Sequence, residues 1–266
     1  MTQVKILKIG GSVLTHKHGD SELNDTALDA AITDIRRWRA ENPSQVLVFL
    51  TGGGSFGHPL ASRYRVNAPT PEKDPLGFLR TTTNMHGMGH QIAQRFLDQD
   101  VPFFPIAPSS IFFTDQGRIT ESDLAPIIHA LDNGLIPFLW GDAVFDHSHT
   151  YRILSGDQMS MFLGERLGTG DLLFGTNVNG IFTRDPQTDP AAEQIARVDD
   201  QNYQRVLESL TDSRSVDVTG GMRGKIEEIH AVQKRPLMCI IYNALLAGNT
   251  YRALSGDGIG TRLFFE

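Results

Sequence analysis

The pattern of apolar and polar positions predicts a series of buried strands. Short apolar runs cover residues 4–9, 46–50, 101–106, 136–140, 171–175, 237–242 and 261–264. Several are rich in β-branched residues, and most are followed closely by glycine, asparagine or aspartate, which favour turns. Because these runs lack strict polar alternation, we expect the strands to be covered on both faces, as in a parallel sheet.

Stretches with helical spacing of apolar residues lie between these strands. The predicted helices cover residues 25–40, 78–98, 124–131 and 155–167. Residues 143–154 predict a β-hairpin, and the proline-containing stretch 66–77 predicts an irregular connection. Strands that alternate with helices favour an α/β fold with a parallel sheet, in which ligands bind at the carboxyl ends of the strands.

Two glycine turns follow the first two predicted strands. Gly10-Gly11-Ser12 comes directly after the first strand, and four glycines and a serine lie within residues 52–57, just after the second. Backbone N–H groups in such turns are free to face an anion, so both turns predict a phosphate site. Lys8 at the end of the first strand and Lys17 beyond its turn could neutralise the phosphate charge.

The second turn also matches a dinucleotide fingerprint, because Gly52, Gly54 and Gly57 have G-x-G-x-x-G spacing. That motif normally follows the first strand and is paired with an acidic residue at the end of the next one. Here the acids at a suitable distance, Glu72 and Asp74, lie in the proline-containing stretch. A P-loop is no better supported, since the chain has His58-Pro59 where that motif needs Lys and Ser or Thr.

A third glycine-rich segment, residues 217–225, contains Gly221 and ends at Lys225 before a helical pattern. A lysine at a helix N-terminus is unfavourable unless an anion shares the site. One phosphate-bearing ligand needs only one such glycine turn, whereas two phosphate-bearing ligands held end to end would need several. Lys8, Lys17 and Lys225 could then stabilise the charge of a phosphoryl group that passes between the two ligands.

Composition narrows the class of protein. With 266 residues and 40% hydrophobic content, the chain can bury a substantial core. The net charge of −7 gives no broad basic surface for nucleic acid. The single cysteine, Cys239, lies in an apolar run and is predicted to be a core residue. Without an apolar run of about 18 residues or a signal-like N-terminus, a soluble cytoplasmic protein is expected.

The stretch from Met85 to His90 is unusual for a helix, because it contains both Gly87 and Gly89. Close helix packing explains such glycines, and room for an apolar ligand tail is the alternative. His86 and His90 are four residues apart, but no nearby carboxylate or cysteine completes a set of metal ligands. No protein-held metal site is therefore predicted.

Five motifs in order resemble the amino acid kinase superfamily, and within it the isopentenyl phosphate kinase family. They are residues 8–12 (KIGGS), 52–58 (GGGSFGH), 155–158 (SGDQ), 176–183 (TNVNGIFT) and 217–225 (DVTGGMRGK). The likeness runs from residue 5 to about residue 263. His58 is the main subfamily signal, because isopentenyl phosphate kinases use a histidine there to hold the substrate's phosphate.

The resemblance implies an open αβα sandwich with a mostly parallel central sheet. It implies that residues 1–170 form an N-terminal lobe for the acceptor and for dimerisation, and that residues 171–266 form an ATP lobe on one continuous sheet. ATP with Mg²⁺, isopentenyl phosphate as acceptor and a homodimer are also implied. The γ-phosphoryl group of ATP would pass directly to a phosphate oxygen of the acceptor, without a covalent enzyme intermediate.

The resemblance also implies roles for individual residues. Lys8, Lys17 and Asp157 would be catalytic, with Asp157 orienting the lysines. Gly53, His58 and Gly156 would bind the acceptor phosphate. Lys8 would also contact the nucleotide. The other residues implied to contact the nucleotide are Gly10, Gly11, Ser12, Gly54, Gly221 and Lys225.

One departure and three rival functions stay open at this point. Asn177 and Asn179 stand in a segment where many relatives have Asp, which argues against a direct metal role there. The rival functions are a fosfomycin kinase of the same superfamily, an NAD(P)-binding oxidoreductase that uses the glycine fingerprint, and a catalytically silent ligand sensor. A silent sensor would be expected to have lost Lys8, Lys17 or Asp157, and all three are present.

Overall fold

The structure is a computed structural model that describes residues 4–16, 21–67, 74–169, 171–184, 186, 189–210, 221–232 and 237–265. The strands are Val4–Ile9 (β1), Val46–Thr51 (β2), Phe103–Pro105 (β3), Phe112–Asp115 (β4), Arg118–Ser122 (β5), Ile136–Trp140 (β6), Asp142–Asp146 (β7), Thr150–Leu154 (β8), Asp171–Thr176 (β9), Ile181–Phe182 (β10), Gln194–Ile195 (β11), Arg197–Val198 (β12), Met238–Asn243 (β13) and Thr261–Leu263 (β14). The helices are Gly11–Leu14 (α1), Asp25–Glu41 (α2), Gly54–Arg63 (α3), Pro75–Leu97 (α4), Ala125–Asp132 (α5), Gly156–Leu167 (α6), Tyr203–Leu210 (α7), Gly221–Val232 (α8) and Asn249–Ser255 (α9). A short 3₁₀ turn covers Pro108–Ser110.

A central sheet organises the described part of the chain, with strand order β12-β14-β13-β9-β1-β2-β6-β3. Its neighbouring strands are parallel except for the β13–β14 pair. The predicted mostly parallel sheet is therefore confirmed. Strands before and after residue 170 share this sheet, because β1 pairs with β9.

Two apolar cores cover the two faces of the sheet. One contains side chains of α2, α4 and α9, such as Trp38, Phe96 and Leu254. The other contains side chains of α5, α6, α7 and α8, such as Ile127 and Ile226. The αβα sandwich that the sequence predicts is thus confirmed, and its strands are buried on both sides.

A smaller sheet lies beside the main one, with strand order β5-β4-β7-β8. Its β7–β8 hairpin matches the hairpin predicted over residues 143–154. The β4–β5 hairpin was not predicted, because exposed polar residues alternate in β5 without a strong apolar signal. The β4–β5 hairpin contacts α6 and α8 through Gly117 and Arg118.

Strand β3 is shorter than the run predicted over residues 101–106. Pro102 and Pro105 lack backbone N–H groups, which limits pairing in this run. The strand lies at one edge of the main sheet, where proline is tolerated.

Helices α1, α3, α7 and α9 were not predicted. The glycines of α3 and its internal Pro59 indicate a turn, yet the helix continues to Arg63. Helix α9 gains a cap from another element, since the Tyr251 N–H donates to Asp34 Oδ2 of α2 at 3.2 Å. A cap that is distant along the chain leaves no local pattern.

Cys239 is fully buried in the second core, as predicted. Burial raises the pKa of its thiol, so the group stays neutral at physiological pH. In the described ranges, no helix has the length and hydropathy needed to cross a membrane.

Candidate active site

The candidate site lies at the carboxyl ends of β1 and β2, where the first two glycine turns meet. Helix α1 begins at Gly11 after β1, and α3 begins at Gly54 after β2. Helix α6 begins beside them, because a Cβ at Gly156 would lie 3.0 Å from the Thr51 carbonyl oxygen. The N–H groups in the first turn of a helix lack carbonyl partners within that helix, so three clustered N-termini favour an anion.

The backbones of the two glycine turns touch. A Cβ at Gly11 would lie 2.2 Å from the Gly54 nitrogen, and one at Gly52 would lie 2.8 Å from the Gly11 nitrogen. Gly54 also has a φ of +49°, which favours glycine. We call the backbone of residues 10–12 and 52–54 the glycine floor. It can form only because Gly11, Gly52 and Gly54, which make the closest approaches, have no side chains.

The Thr15 side chain, at the end of α1, links the two halves of the glycine floor by hydrogen bonds. Its hydroxyl donates to the Gly11 carbonyl oxygen at 2.8 Å and accepts from the Ser55 N–H at 3.0 Å. Gly10 is fixed to the neighbouring strand, since its N–H donates to the Gly175 carbonyl oxygen at 2.8 Å. The floor is therefore held by hydrogen bonds to β9 and within the α1–α3 contact.

Three charged side chains meet beside the floor. Lys8 Nζ lies 2.9 Å from Asp157 Oδ1, and Lys225 Nζ lies 2.8 Å from both Asp157 oxygens. Relative side-chain exposures are 8% for Lys8, 17% for Asp157 and 9% for Lys225. We call these residues the lysine–aspartate cluster. Its formal charge is +1, because two ammonium groups share one carboxylate.

Electrostatics make this cluster receptive to an anion. Burial alone would raise the pKa of Asp157, but the charges of Lys225 and Lys8 and their hydrogen bonds hold it below its usual range. Burial lowers the pKa of Lys225 to about 8, with opposition from Asp157 and reinforcement from Lys8. The ring of Phe174, with its centroid 5.2 Å from Lys225 Nζ, adds a cation–π contact. An anionic phosphate would neutralise the excess positive charge.

The cluster explains two features that the sequence left open. Asp157 could have been a helix cap, but Ser155 caps α6 by accepting from the Gln158 N–H at 3.1 Å. Asp157 is instead directed to the lysines. Lys225 lies one turn into α8 rather than at its first residue, which is Gly221. The anion that shares its site is the Asp157 carboxylate.

The predicted acceptor residues lie around the same edge. Gly156 adjoins Lys8, since a Cβ there would be 3.3 Å from Lys8 Cε. Gly53 precedes α3 and packs against Met85, and half-buried His58 lies one turn into α3. Lys17 lies outside the described residues.

The sequence did not identify Thr15 or Gly141 as site residues. A Cβ at Gly141 would lie 3.3 Å from the Gly53 nitrogen, so β6 also abuts the floor. The signal for Gly141 was present, because it follows a buried strand, but no motif marked it. Thr15 had no signal, because its role depends on the contact between α1 and α3.

The stretch from Met85 to His90 packs against the end of β6. A Cβ at Gly89 would lie 2.5 Å from the Trp140 ring, which fits close packing rather than an open pocket. Gly87 is exposed and has no atom within 4 Å of its Cβ position. His86 Nε2 lies 3.2 Å from the fully buried Asp142 Oδ2. That hydrogen bond raises the pKa of His86 despite partial burial.

Comparisons with known proteins agree with this geometry. Residues 3–243 match the Amino acid kinase family. The chain is 34% identical to an isopentenyl phosphate kinase of Methanothermobacter thermautotrophicus, over 97% of this chain and 98% of that protein. It is 28% identical to an isopentenyl phosphate kinase of Arabidopsis thaliana, over 95% and 90% of the two chains. A solved isopentenyl phosphate kinase structure superposes with a TM-score of 0.83 at 28% identity, covering 98% of this chain and 100% of that one.

Proposed function

We propose that this chain, which belongs to the amino acid kinase family and within it to the isopentenyl phosphate kinases, transfers the γ-phosphoryl group of ATP to isopentenyl phosphate. The products would be isopentenyl diphosphate and ADP. The observation that carries the proposal is the similarity over nearly the whole chain to isopentenyl phosphate kinases. Kinase membership also argues against the oxidoreductase alternative.

The lysine–aspartate cluster supports direct phosphoryl transfer. Negative charge is spread over the transferring group, and catalysis depends mainly on positioning and electrostatic stabilisation. Lys8 would bridge that group, and Lys225 would neutralise charge on the nucleotide side. Asp157 orients both ammonium groups through contacts of 2.8–2.9 Å. Lys17 would add a further positive charge, as the family resemblance implies.

The glycine floor supports binding of two phosphate-bearing ligands side by side. Gly11, Ser12 and Gly54 would contact the ATP phosphates through their backbone N–H groups. Gly10, whose N–H donates to the Gly175 carbonyl oxygen, would contact them through the rest of its backbone. Gly53, Gly156 and His58 would hold the acceptor phosphate, and Gly221 would complete the nucleotide side. With both ligands fixed on one rigid floor, an acceptor oxygen could attack the γ-phosphorus in line without a covalent enzyme intermediate.

The expected Mg²⁺ would accompany the nucleotide rather than occupy a protein cage. Among the described residues, no three His, Cys, Asp or Glu side chains are grouped to hold a metal. The carboxylate in the candidate site, Asp157, is already paired with two lysines. Mg²⁺ favours a few protein ligands together with substrate phosphates. Its chemistry would be to neutralise charge on those phosphates.

The lobe assignment and the homodimer are parts of the same proposal. Residues 1–170 would bind the acceptor and residues 171–266 the nucleotide. The edge strand β3 and helix α4 expose Phe104, Leu79 and Leu97, which are 41%, 52% and 59% exposed. Burying such side chains in a second copy would be favourable. Light scattering after gel filtration tests the dimer, and fractionation of cells tests the expected cytoplasmic location.

A coupled assay of ADP release tests the proposed reaction. The purified chain is given Mg·ATP with isopentenyl phosphate, dimethylallyl phosphate, fosfomycin or N-acetylglutamate. Turnover should be fastest with a five-carbon phosphate and should stop with excess EDTA. The same enzyme without acceptor measures ATP hydrolysis. Absence of turnover with both five-carbon phosphates would contradict the proposal, and faster turnover of fosfomycin would favour the rival kinase.

The variant His58→Ala tests the acceptor assignment. Because His58 would contact only the acceptor phosphate, KM for isopentenyl phosphate should rise far more than KM for ATP. An equal rise in both constants would contradict that role. The variant His90→Ala provides a matched control, since His90 lies on the exposed face of α4.

A further inference from the structure

The β4–β5 hairpin touches the helix that carries Asp157. Its turn residues Gln116 and Gly117 have φ values of 49° and 77°, as expected of a tight two-residue turn. The Gly117 carbonyl oxygen accepts a hydrogen bond from Gln158 Nε2 at 3.0 Å. Since Gln158 follows Asp157, the hairpin turn is attached to the first turn of α6, which also carries Asp157.

Asp146 holds the same turn through a second set of hydrogen bonds. Its Oδ2 accepts from the Gly117 N–H at 2.7 Å and from the Thr114 hydroxyl at 2.8 Å. Its Oδ1 accepts from the His149 N–H at 2.8 Å. Burial raises the pKa of Asp146, but these donors outweigh it and lower that pKa to about 2. The turn therefore rests on a carboxylate that stays charged at neutral pH.

The residue after this turn pairs with the helix that carries Lys225. Arg118 Nη1 donates to Glu228 Oε1 at 2.6 Å and to Oε2 at 2.8 Å. Glu228 is 16% exposed and Arg118 is 55% exposed. Glu228 lies three positions after Lys225 in α8. Residues three apart lie next to each other on the same face of a helix.

Together with the backbone, these contacts form a closed ring that includes Asp157 and Lys225 of the cluster. The ring runs from Asp157 to Gln158 in α6, then through Gly117 and Arg118 to α8. From Glu228 it returns along α8 to Lys225 and so to Asp157. A ring of this kind couples the spacing of α6 and α8 to the position of the hairpin.

We propose that Arg118 and Glu228 are positioning residues, which hold α8 so that the Lys225 ammonium group stays on Asp157 and faces the nucleotide phosphates. The inference rests on the proposed function only in assigning the anion as ATP. The pair acts through another residue, because Arg118 reaches Glu228 rather than the cluster. Its effect should therefore depend on the presence of Lys225.

A positioning role for Arg118 predicts a change in ATP affinity without a comparable change in the stability of the fold. A partly exposed ion pair contributes little to global stability, so Arg118→Ala should leave the unfolding temperature nearly unchanged. Loss of α8 positioning should instead weaken ATP binding by about three- to tenfold, a typical size for coupling through a contact network. Binding of isopentenyl phosphate alone should not change.

The experiment is a double-mutant cycle read by calorimetric binding of ATP. Arg118→Ala is compared with the wild type, and Arg118→Ala in a Lys225→Ala chain is compared with Lys225→Ala alone. The loss of affinity should appear in the first comparison and vanish in the second. Restoration by the charge swap Arg118→Glu with Glu228→Arg, beside the weaker single reversals, would support the pairing. Arg37→Ala, which removes an exposed ion pair of α2, is the control.

The contrary outcomes are distinct. An equal loss of affinity in both backgrounds would mean that Arg118 acts on the nucleotide directly, and would overturn the positioning role. Unchanged affinity in the wild-type background would also overturn it. Because ATP binding needs no acceptor, these results stay interpretable even if isopentenyl phosphate proves to be the wrong acceptor.

Discussion

The glycine floor and the lysine–aspartate cluster lie side by side, but different physics holds them. The floor is built from backbone, and its critical feature is the approach of Gly11 to Gly54, where an added Cβ would lie 2.2 Å from a nitrogen. The cluster is built from side chains that are 8–17% exposed and carry opposite charges. Added volume should therefore damage the floor, whereas a change of charge or pH should damage the cluster.

The largest expected effect is a volume change in the floor. Gly11→Ala should destabilise the fold by about 4 kcal/mol, because backbone on both sides of the contact would have to move. Gly10→Ala is the matched control, since its Cβ would lie 3.4 Å from the Gly175 carbonyl oxygen, an ordinary contact. Urea unfolding followed by circular dichroism measures both variants. Equal stability of the two variants would contradict the close approach.

A charge change in the cluster should be the next largest effect. Asp157→Asn keeps the volume but leaves Lys8 and Lys225 without their shared carboxylate. We expect kcat to fall by about 10²–10³, the size seen when a preorganised electrostatic group is lost. Steady-state kinetics at saturating ATP and acceptor measure this fall.

The control for this prediction is a similar pair at the other end of the same strands. Lys5 Nζ lies 3.1 Å from Asp171 Oδ2, where β1 and β9 begin. Asp171→Asn removes the same kind of charge far from the carboxyl edge, so kcat should stay within about twofold. A comparable fall in both variants would indicate a general loss of structure.

The contrast between floor and cluster also explains what the sequence could predict. Glycine turns directly after apolar strands are local patterns, and the topology of a parallel sheet brings their ends together. The floor, the sheet and the αβα layers were accordingly predictable. The family resemblance placed Asp157 with the lysines, whereas the local pattern alone fitted a helix cap equally well.

Features that depend on distant partners were not predictable. Helix α9 takes its cap from Asp34 of α2, and the Ser55 N–H at the start of α3 bonds to Thr15. The sequence could not decide between close packing and room for a ligand tail at Gly89, because it does not show the Trp140 ring against that position. In each case the deciding contact joins elements that are separated along the chain.

The next smaller effect is a pH dependence of ATP binding, which we expect from the lysine–aspartate cluster and not from the glycine floor. With the pKa of Lys225 lowered to about 8 by burial, the side chain is mostly protonated at pH 7 and mostly neutral at pH 9. If ATP binds the protonated form, its Kd should rise about tenfold between these values, in proportion to the lost fraction. Lys225→Arg should flatten the profile, because arginine stays charged. Calorimetry across this range measures it, and a flat wild-type profile would contradict the assignment.

The smallest expected effect tests, outside the glycine floor, whether the space at a glycine's Cβ position decides the sign of a Gly→Ala substitution. Gly87 is exposed in α4 with open space at its Cβ position, so Gly87→Ala should stabilise the fold by about 1 kcal/mol through helix propensity alone. Gly89→Ala should have the opposite sign, because its Cβ would lie 2.5 Å from the Trp140 ring. Urea unfolding gives both values. If Gly87 instead shaped a tail pocket, Gly87→Leu would change the relative rates on five-carbon and ten-carbon monophosphates, whereas an outward-facing position predicts equal ratios.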